Sequence, residues 1–202
     1  SHGFIELYNN SANGQTFNLK GLCIYYKTLD DGVWRRLPLT GYLPAYHSYL
    51  IRGARLNNPS NSSCRHEIKY FDQHWDMVFS SNSAMVYLGV DNGEITVANP
   101  FYLNDGTQMA GYIDLLATSS ENEKRSLNAL EYDITKAPYY RKYIGAEIGV
   151  QRIDFKDTNN AYVDYEPVNY RTCDINIYRP RCVEDGKWDL YYNKTKLNEN
   201  IP

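Results

Sequence analysis

Short apolar runs separated by polar turns set the character of this chain, and long amphipathic stretches are rare. Phe4–Tyr8 alternates apolar and polar positions and leads into a turn rich in Asn and Gly. Leu19–Lys27 then reads as a longer, mostly buried strand. Trp34–Leu39 is shorter, and Pro38 marks it as an edge piece, because proline has no N–H to give a ladder. Tyr49–Gly53 is a further apolar run, followed by a loop over Asn57–Ser63 dense in turn formers. Met85–Val90 and Glu94–Val97 flank Asp91-Asn92-Gly93, and an Asn-Gly dipeptide between two apolar runs predicts a β-hairpin. Tyr112–Leu116 is predicted to be a buried strand. One segment breaks the pattern. Ser119–Tyr132 opens on a capping box, Ser120 with Glu123, and Leu127 and Leu130 give it a thin apolar stripe, which predicts a short inserted surface helix.

Many short strands with turns between them and no βαβ alternation predict an all-β sandwich or barrel. At 202 residues the chain suits one decorated β-domain, large enough to bury a core without metal or disulfide staples. The formal net charge of −3 and the lack of a Lys/Arg block argue against nucleic acid as a partner. No apolar run approaches the roughly 20 residues of a bilayer span, so membrane insertion is not expected. No signal peptide opens the sequence. The strand-like start and the polar finish Lys196–Pro202 predict a segment of a longer protein. Among the 20 tyrosines, most are expected in strands at the core boundary, where a ring fits a pleated, half-buried surface.

The cysteines Cys23, Cys64, Cys173 and Cys182 contain no C-x-x-C pair, which argues against a zinc ribbon and a thioredoxin-like motif. Cys23, in the apolar run Leu22–Tyr25, is predicted to be a buried free thiol. Cys173 and Cys182 flank residues 174–181, which read as a hairpin closed by a disulfide if the protein is exported. His66 and His74 lack H-E-x-x-H spacing and read as solvated loop residues. No nucleophile elbow, P-loop or dinucleotide fingerprint occurs, so neither catalysis nor a cofactor is expected. Three Asn-x-Ser/Thr triplets, at Asn9, Asn61 and Asn193, are what chance gives an Asn-rich chain. Trp34, Trp75 and Trp188 are the candidates for a flat glycan-binding face, against a plainer reading as boundary packing.

Five blocks, taken in order, resemble lamin-tail domains. They are Phe4-Ile5-Glu6-Leu7-Tyr8-Asn9 with Phe17–Leu22; Tyr42–Ile51; Val86-Tyr87-Leu88 leading to Asn92-Gly93; Tyr112-Ile113-Asp114-Leu115-Leu116; and Gly149–Arg152 with Asp157–Tyr165. The resemblance covers about residues 3–168 and implies an immunoglobulin-like β-sandwich of the bacterial or phage type. An insertion at about 98–148 and an extension or linker over 169–202 lie outside the family pattern. In the closing block, Arg152, Asp157, Asn159 and Asp164 read as an ion-pair and hydrogen-bond network bracing a loop. The alternative is calcium, for which Asp157, Asn159 and Asp164 are oxygen ligands of suitable hardness, though EF-hand spacing is absent.

Together these features imply a non-catalytic structural or adhesion module of a larger extracellular, cell-surface or virion-associated protein. Its loops would meet a protein or glycan partner, or other copies in an assembly, through Asn58, Asn61, Tyr102, Asn104 and Trp188. By analogy with bacterial relatives, the alternative is an accessory domain of a secreted hydrolase such as a nuclease.

Overall fold

The computed structural model describes residues 2–28, 32–56, 67–80, 84–119, 141–142 and 147–188. The helix expected over 119–132, the loop residues Asn58 and Asn61, and Cys64 and His66 lie outside them, apart from Ser119. The chain is all-β, its strands laid out in open, sandwich-like sheets with only two single-turn α-helices among the described residues. Two compact units emerge: one from 1–19, 40–79 and 179–202, the other from 20–39 and 80–178. This division does not follow the boundary expected at 168/169. No helix among the described residues is long and apolar enough to cross a membrane.

In the first unit, β1 (His2–Tyr8) pairs antiparallel with β6 (Ser48–Arg55), which runs parallel to β7 (Gln73–His74). A separate ribbon joins β2 (Phe17–Asn18) to β5 (Tyr42–Leu43). Asn9 ties the turn after β1. Its buried amide donates to the carbonyls of Gln15 and Leu43, at 2.7 and 2.9 Å, and its Oδ1 accepts from Ser11 N. Tyr49, Leu50 and Ile51 of β6 are buried on both faces of the strand.

The second unit holds a five-stranded sheet in the order β10–β9–β8–β3–β4. Its strands are β3 (Leu22–Thr28), β4 (Arg35–Pro38), β8 (Ala84–Val90), β9 (Tyr112–Ser119) and β10 (Arg141–Lys142). Pro38 sits in β4, at the sheet edge, where a missing N–H breaks no ladder bond. The long strand expected over Leu19–Lys27 begins only at Leu22 and runs to Thr28. Gly21, at φ 91°, turns the chain between β2 and β3. A second ribbon, β11 (Ile148–Arg152) with β12 (Tyr165–Asn169), carries the helix α1 (Ala161–Asp164) in its connection, and α2 (Ile175–Tyr178) follows.

One face of the five-stranded sheet is aromatic. Tyr25 and Tyr87, paired in register across β3 and β8, stack at 5.4 Å, and Tyr112 of β9 stacks on Tyr87 at 5.7 Å. Trp34 meets Tyr87 edge-on at 6.5 Å. Cys23, Met85, Leu115 and Ala117 complete this core. Cys23 is a fully buried free thiol, as its apolar setting predicted.

Two expectations need correcting. The Asn92-Gly93 hairpin does not form: β8 pairs with β9, and Glu94–Val97 is not a strand. The turn instead sends the chain across the aromatic face, and side chains replace the missing ladder, as described below. Nor does a disulfide join Cys173 and Cys182, both of which are free. Their connection is not a hairpin. Asp174 caps α2 by accepting from Asn176 N at 2.9 Å and, through its carbonyl, from Ile177 N and Tyr178 N. Cys182 sits at the head of a 3-10 turn over Val183–Asp185.

Candidate functional site

The segment the hairpin rule mispredicted, residues 91–111, is a loop built across the aromatic face. Staples from β3 and from Trp34, just before β4, hold its first half. The Tyr25 hydroxyl accepts from Asn92 N and donates to the Gly93 carbonyl, both at 3.0 Å. The Trp34 indole N–H donates to the Val97 carbonyl at 2.7 Å, and Lys27 Nζ donates to Ala98 O at 2.7 Å. Lys27 is buried, with its ammonium 4.5 Å from the centre of the Trp34 ring, and burial pushes it down to about 8. Sequence reasoning missed this residue. The available signal was a lone cation inside an otherwise apolar strand.

The second half rises to a tip and returns. Phe101 packs edge-on against Tyr112 at 5.5 Å, and Phe101 and Met109 both pack on the aromatic core. Between these two anchors, residues 104–108 are exposed. Main-chain bonds set their path: Leu103 N to Thr107 O, Gly106 N to Leu103 O and Met109 N to Pro100 O, each 2.8 Å. Asp105 Oδ1 accepts from Thr107 N at 3.0 Å and from its hydroxyl at 2.7 Å, which holds the Asp105 carboxyl below the usual range. Asn99 makes the same kind of turn with Phe101 N, and Asn92 Nδ2 closes the base on Ala110 O at 3.1 Å. Of the predicted recognition residues, Asn104 stands exposed at the tip, and Tyr102 is half-buried beside it.

A second loop, between β11 and β12, is braced from within. Arg152, at the end of β11, donates to Asp114 Oδ2 of β9 at 2.6 Å and to the Lys156 carbonyl at 2.8 Å. It lies 3.4 Å from Asp157 Oδ1 and 3.7 Å from Asp164 Oδ2, and its guanidinium covers the Tyr165 ring at 4.6 Å. Asp164 is 2 % exposed and accepts three bonds, from Thr158 N, the Thr158 hydroxyl and Asn160 N, at 2.8, 2.7 and 3.2 Å. Burial pushes the Tyr165 phenol up. Asp154 and Phe155 adopt φ of 52° and 55° in a turn closed by Lys156 N to Ile153 O, a conformation that costs a non-glycine residue about 1–2 kcal/mol. The network holds that turn in place. Asn159, at φ 56°, gives its N–H to Asp157 Oδ1, while no side-chain bond joins it to Arg152 or Asp164.

The structure thus brings Arg152, Asp157 and Asp164 together and adds Asp114, which sequence reading had placed in a strand without a role. The calcium alternative at Asp157, Asn159 and Asp164 meets the wrong surroundings. The Asp164 oxygens already face donors, and a guanidinium takes the place a divalent cation would need. Among the described residues no group of three or more His, Cys, Asp or Glu is arranged to hold a metal. Trp188 is turned to packing within the first unit. Its indole N–H donates to Ser48 Oγ at 2.7 Å, its ring meets Tyr8 edge-on, and Arg181 stacks over it at 4.4 Å. Trp75 likewise packs on Phe79. The tryptophans therefore do not form a flat exposed platform.

Compared with protein-family models and with curated proteins, the sequence matches none.

Proposed function

We propose that this chain is a non-catalytic structural or adhesion module of a larger surface- or particle-associated protein, presenting preformed loops to a protein or glycan. The observation that carries the reading is the loop 99–109. It has an exposed polar tip between two half-buried anchors, Phe101 and Met109, and its path is fixed by hydrogen bonds before any partner arrives. Rigid presentation of this kind lowers the ordering cost of binding. The same device recurs elsewhere. Asn or Asp side chains accept from the N–H two residues on at Asn9, Asp91, Asn99, Asp105, Asp157, Asn169 and Asp174. The ionisable cluster at Arg152 supports the non-catalytic reading, because its groups are engaged with one another and with the main chain. The lamin-tail resemblance agrees with the reading, since its strand-like blocks fall on β1, β6, β8, β9 and β11.

A glycan array and a panel of displayed surface proteins, probed with the chain and with a Tyr102→Ala/Asn104→Ala variant, test this reading. The variant should lose binding by tenfold or more while its melting temperature is unchanged. Equal binding by both would remove the loop from the account.

A further inference from the structure

Two Asn-Gly pairs occur in the sequence, Asn13-Gly14 and Asn92-Gly93. Such a pair can modify itself. The glycine amide nitrogen attacks the asparagine Cγ, so that an N–Cγ bond forms and the Cγ–Nδ2 bond breaks. The glycine amide proton leaves with Nδ2 as ammonia, and water then opens the cyclic imide to aspartate or isoaspartate. Glycine favours the attack, because no Cβ hinders its nitrogen and its backbone turns freely. The two pairs share this chemistry and stand in opposite settings. Asn13-Gly14 lies in an exposed turn after β1, where Gly14 N donates to Ser11 O at 3.1 Å. Among the described residues no hydrogen bond holds the Asn13 side chain.

Asn92 is as open to water as Asn13, but its pair is clamped at the groups the reaction must move. The Gly93 N–H, whose proton has to leave, donates to Asp91 Oδ1 at 3.1 Å. A carboxylate beside that proton opposes its loss, and Arg36 fixes the carboxylate by donating to Asp91 Oδ2 at 2.9 Å. The Asn92 Nδ2, which has to depart, donates to Ala110 O at 3.1 Å. The Tyr25 hydroxyl accepts from Asn92 N and donates to Gly93 O, so the peptide units around the Gly93 nitrogen are pinned to a buried ring of β3. Just upstream, Val90 N donates to Gly111 O at 3.0 Å and Asp91 N to Gly21 O at 2.8 Å. Chemistry on a group held in this way proceeds through locally opened states.

We propose that Asn92 is a self-modification site gated by the base of the 91–111 loop: it deamidates when that base opens, and the product keeps the base open. The second half follows from what deamidation removes. The product carries an oxygen in place of the Nδ2 donor, so a carboxylate faces the Ala110 carbonyl and stands next in sequence to the Asp91 carboxylate, a like charge. In the isoaspartyl form the main chain also gains a methylene, and the N–H and carbonyl that share the Tyr25 hydroxyl lose their spacing. The chain has no chemistry that restores the amide, so each opening adds to a permanent population of unlocked loops. The proposal concerns the base of the loop and stands apart from what the tip at 104–108 meets.

Peptide-mapping mass spectrometry of the full chain, incubated at pH 8, compares the two pairs within one molecule. In the native chain Asn92 should convert at least about tenfold more slowly than Asn13, and in urea the two rates should agree within about threefold. That comparison needs no variant. Tyr25→Phe keeps the ring and its stack but removes both hydroxyl bonds, so it should speed Asn92 at least about fivefold and leave Asn13 unchanged. Asn92 converting as fast as Asn13 in the native chain, or no acceleration in Tyr25→Phe, would overturn the gate. Amide hydrogen exchange by NMR on Asn92→Asp tests the product. The amides of 90–93 should exchange at least about fivefold faster than in wild type while those of β3 hold, and unchanged protection of 90–93 would overturn the claim that the product keeps the base open.

Discussion

Gly89→Ala puts the aromatic platform under the 99–109 loop to a quantitative test. A Cβ built on Gly89 would lie 2.0 Å from Tyr87 Oη and 2.4 Å from its Cζ, so the ring would have to move by more than an ångström. It has nowhere to go. Tyr87 is fully buried, lies between Tyr25 and Tyr112, and has Trp34 against its edge. Overpacking of this kind costs about 1–3 kcal/mol. Disturbing two stacked pairs costs about 0.5–1.5 kcal/mol each. Removing a strand glycine returns about 0.5–1 kcal/mol. The net expectation is a loss of about 2–4 kcal/mol, measured by urea unfolding with an unchanged slope. A double-mutant cycle isolates the cause. In a Tyr87→Ala background, itself about 3–5 kcal/mol less stable, Gly89→Ala should cost about 0.5 kcal/mol or less. A Gly89→Ala penalty below about 0.5 kcal/mol, or an undiminished penalty without the Tyr87 ring, would refute the reasoning.

Three other outcomes follow from the same geometry. Asp164→Ala strands three donors and leaves Arg152 short of a partner, so it should cost about 3–5 kcal/mol by chemical denaturation, whereas Asp157→Ala, at an exposed partner, should cost under about 1 kcal/mol. The lowered Lys27 makes the unfolded state the stronger proton binder between about 8 and 10.5, so its contribution to stability rises with pH across that window. The pH-dependent difference in unfolding free energy between wild type and Lys27→Met should therefore shift by about 2–3 kcal/mol between pH 7.5 and 10.5, and a flat difference would contradict the buried ammonium. Mass spectrometry after native alkylation should find Cys173, half-buried, labelled and Cys23 untouched, and a peptide pair bridged through Cys173 and Cys182 would contradict the fold of 173–185.

Several strands were legible because their cause is local. Phe4–Tyr8, Tyr49–Gly53, Met85–Val90 and Tyr112–Leu116 carry their apolar pattern in a few consecutive residues, and each lies within a strand. The short pieces β2, β5, β7 and β10 have no such pattern, and they exist only because a neighbouring strand offers a ladder. The hairpin at Asn92-Gly93 failed for a related reason. The turn itself is real, but Tyr25, Lys27 and Trp34 satisfy the carbonyls of Gly93, Val97 and Ala98 from over 60 positions away, which no local rule can see. Arg152 with Asp157 and Asp164 was legible because all three lie within one short stretch. Asp114, 38 residues from Arg152, was recognised only as part of a strand.

The central claim is that the loop is built before its partner arrives, and backbone amide relaxation by NMR tests it most directly. Residues 104–108 should show order parameters near the roughly 0.85 of the β-strands, and Asp105→Ala should lower them by removing the bonds to Thr107. Order parameters below about 0.6 at the wild-type tip would contradict the account, because a tip that disordered could not be a preformed recognition surface.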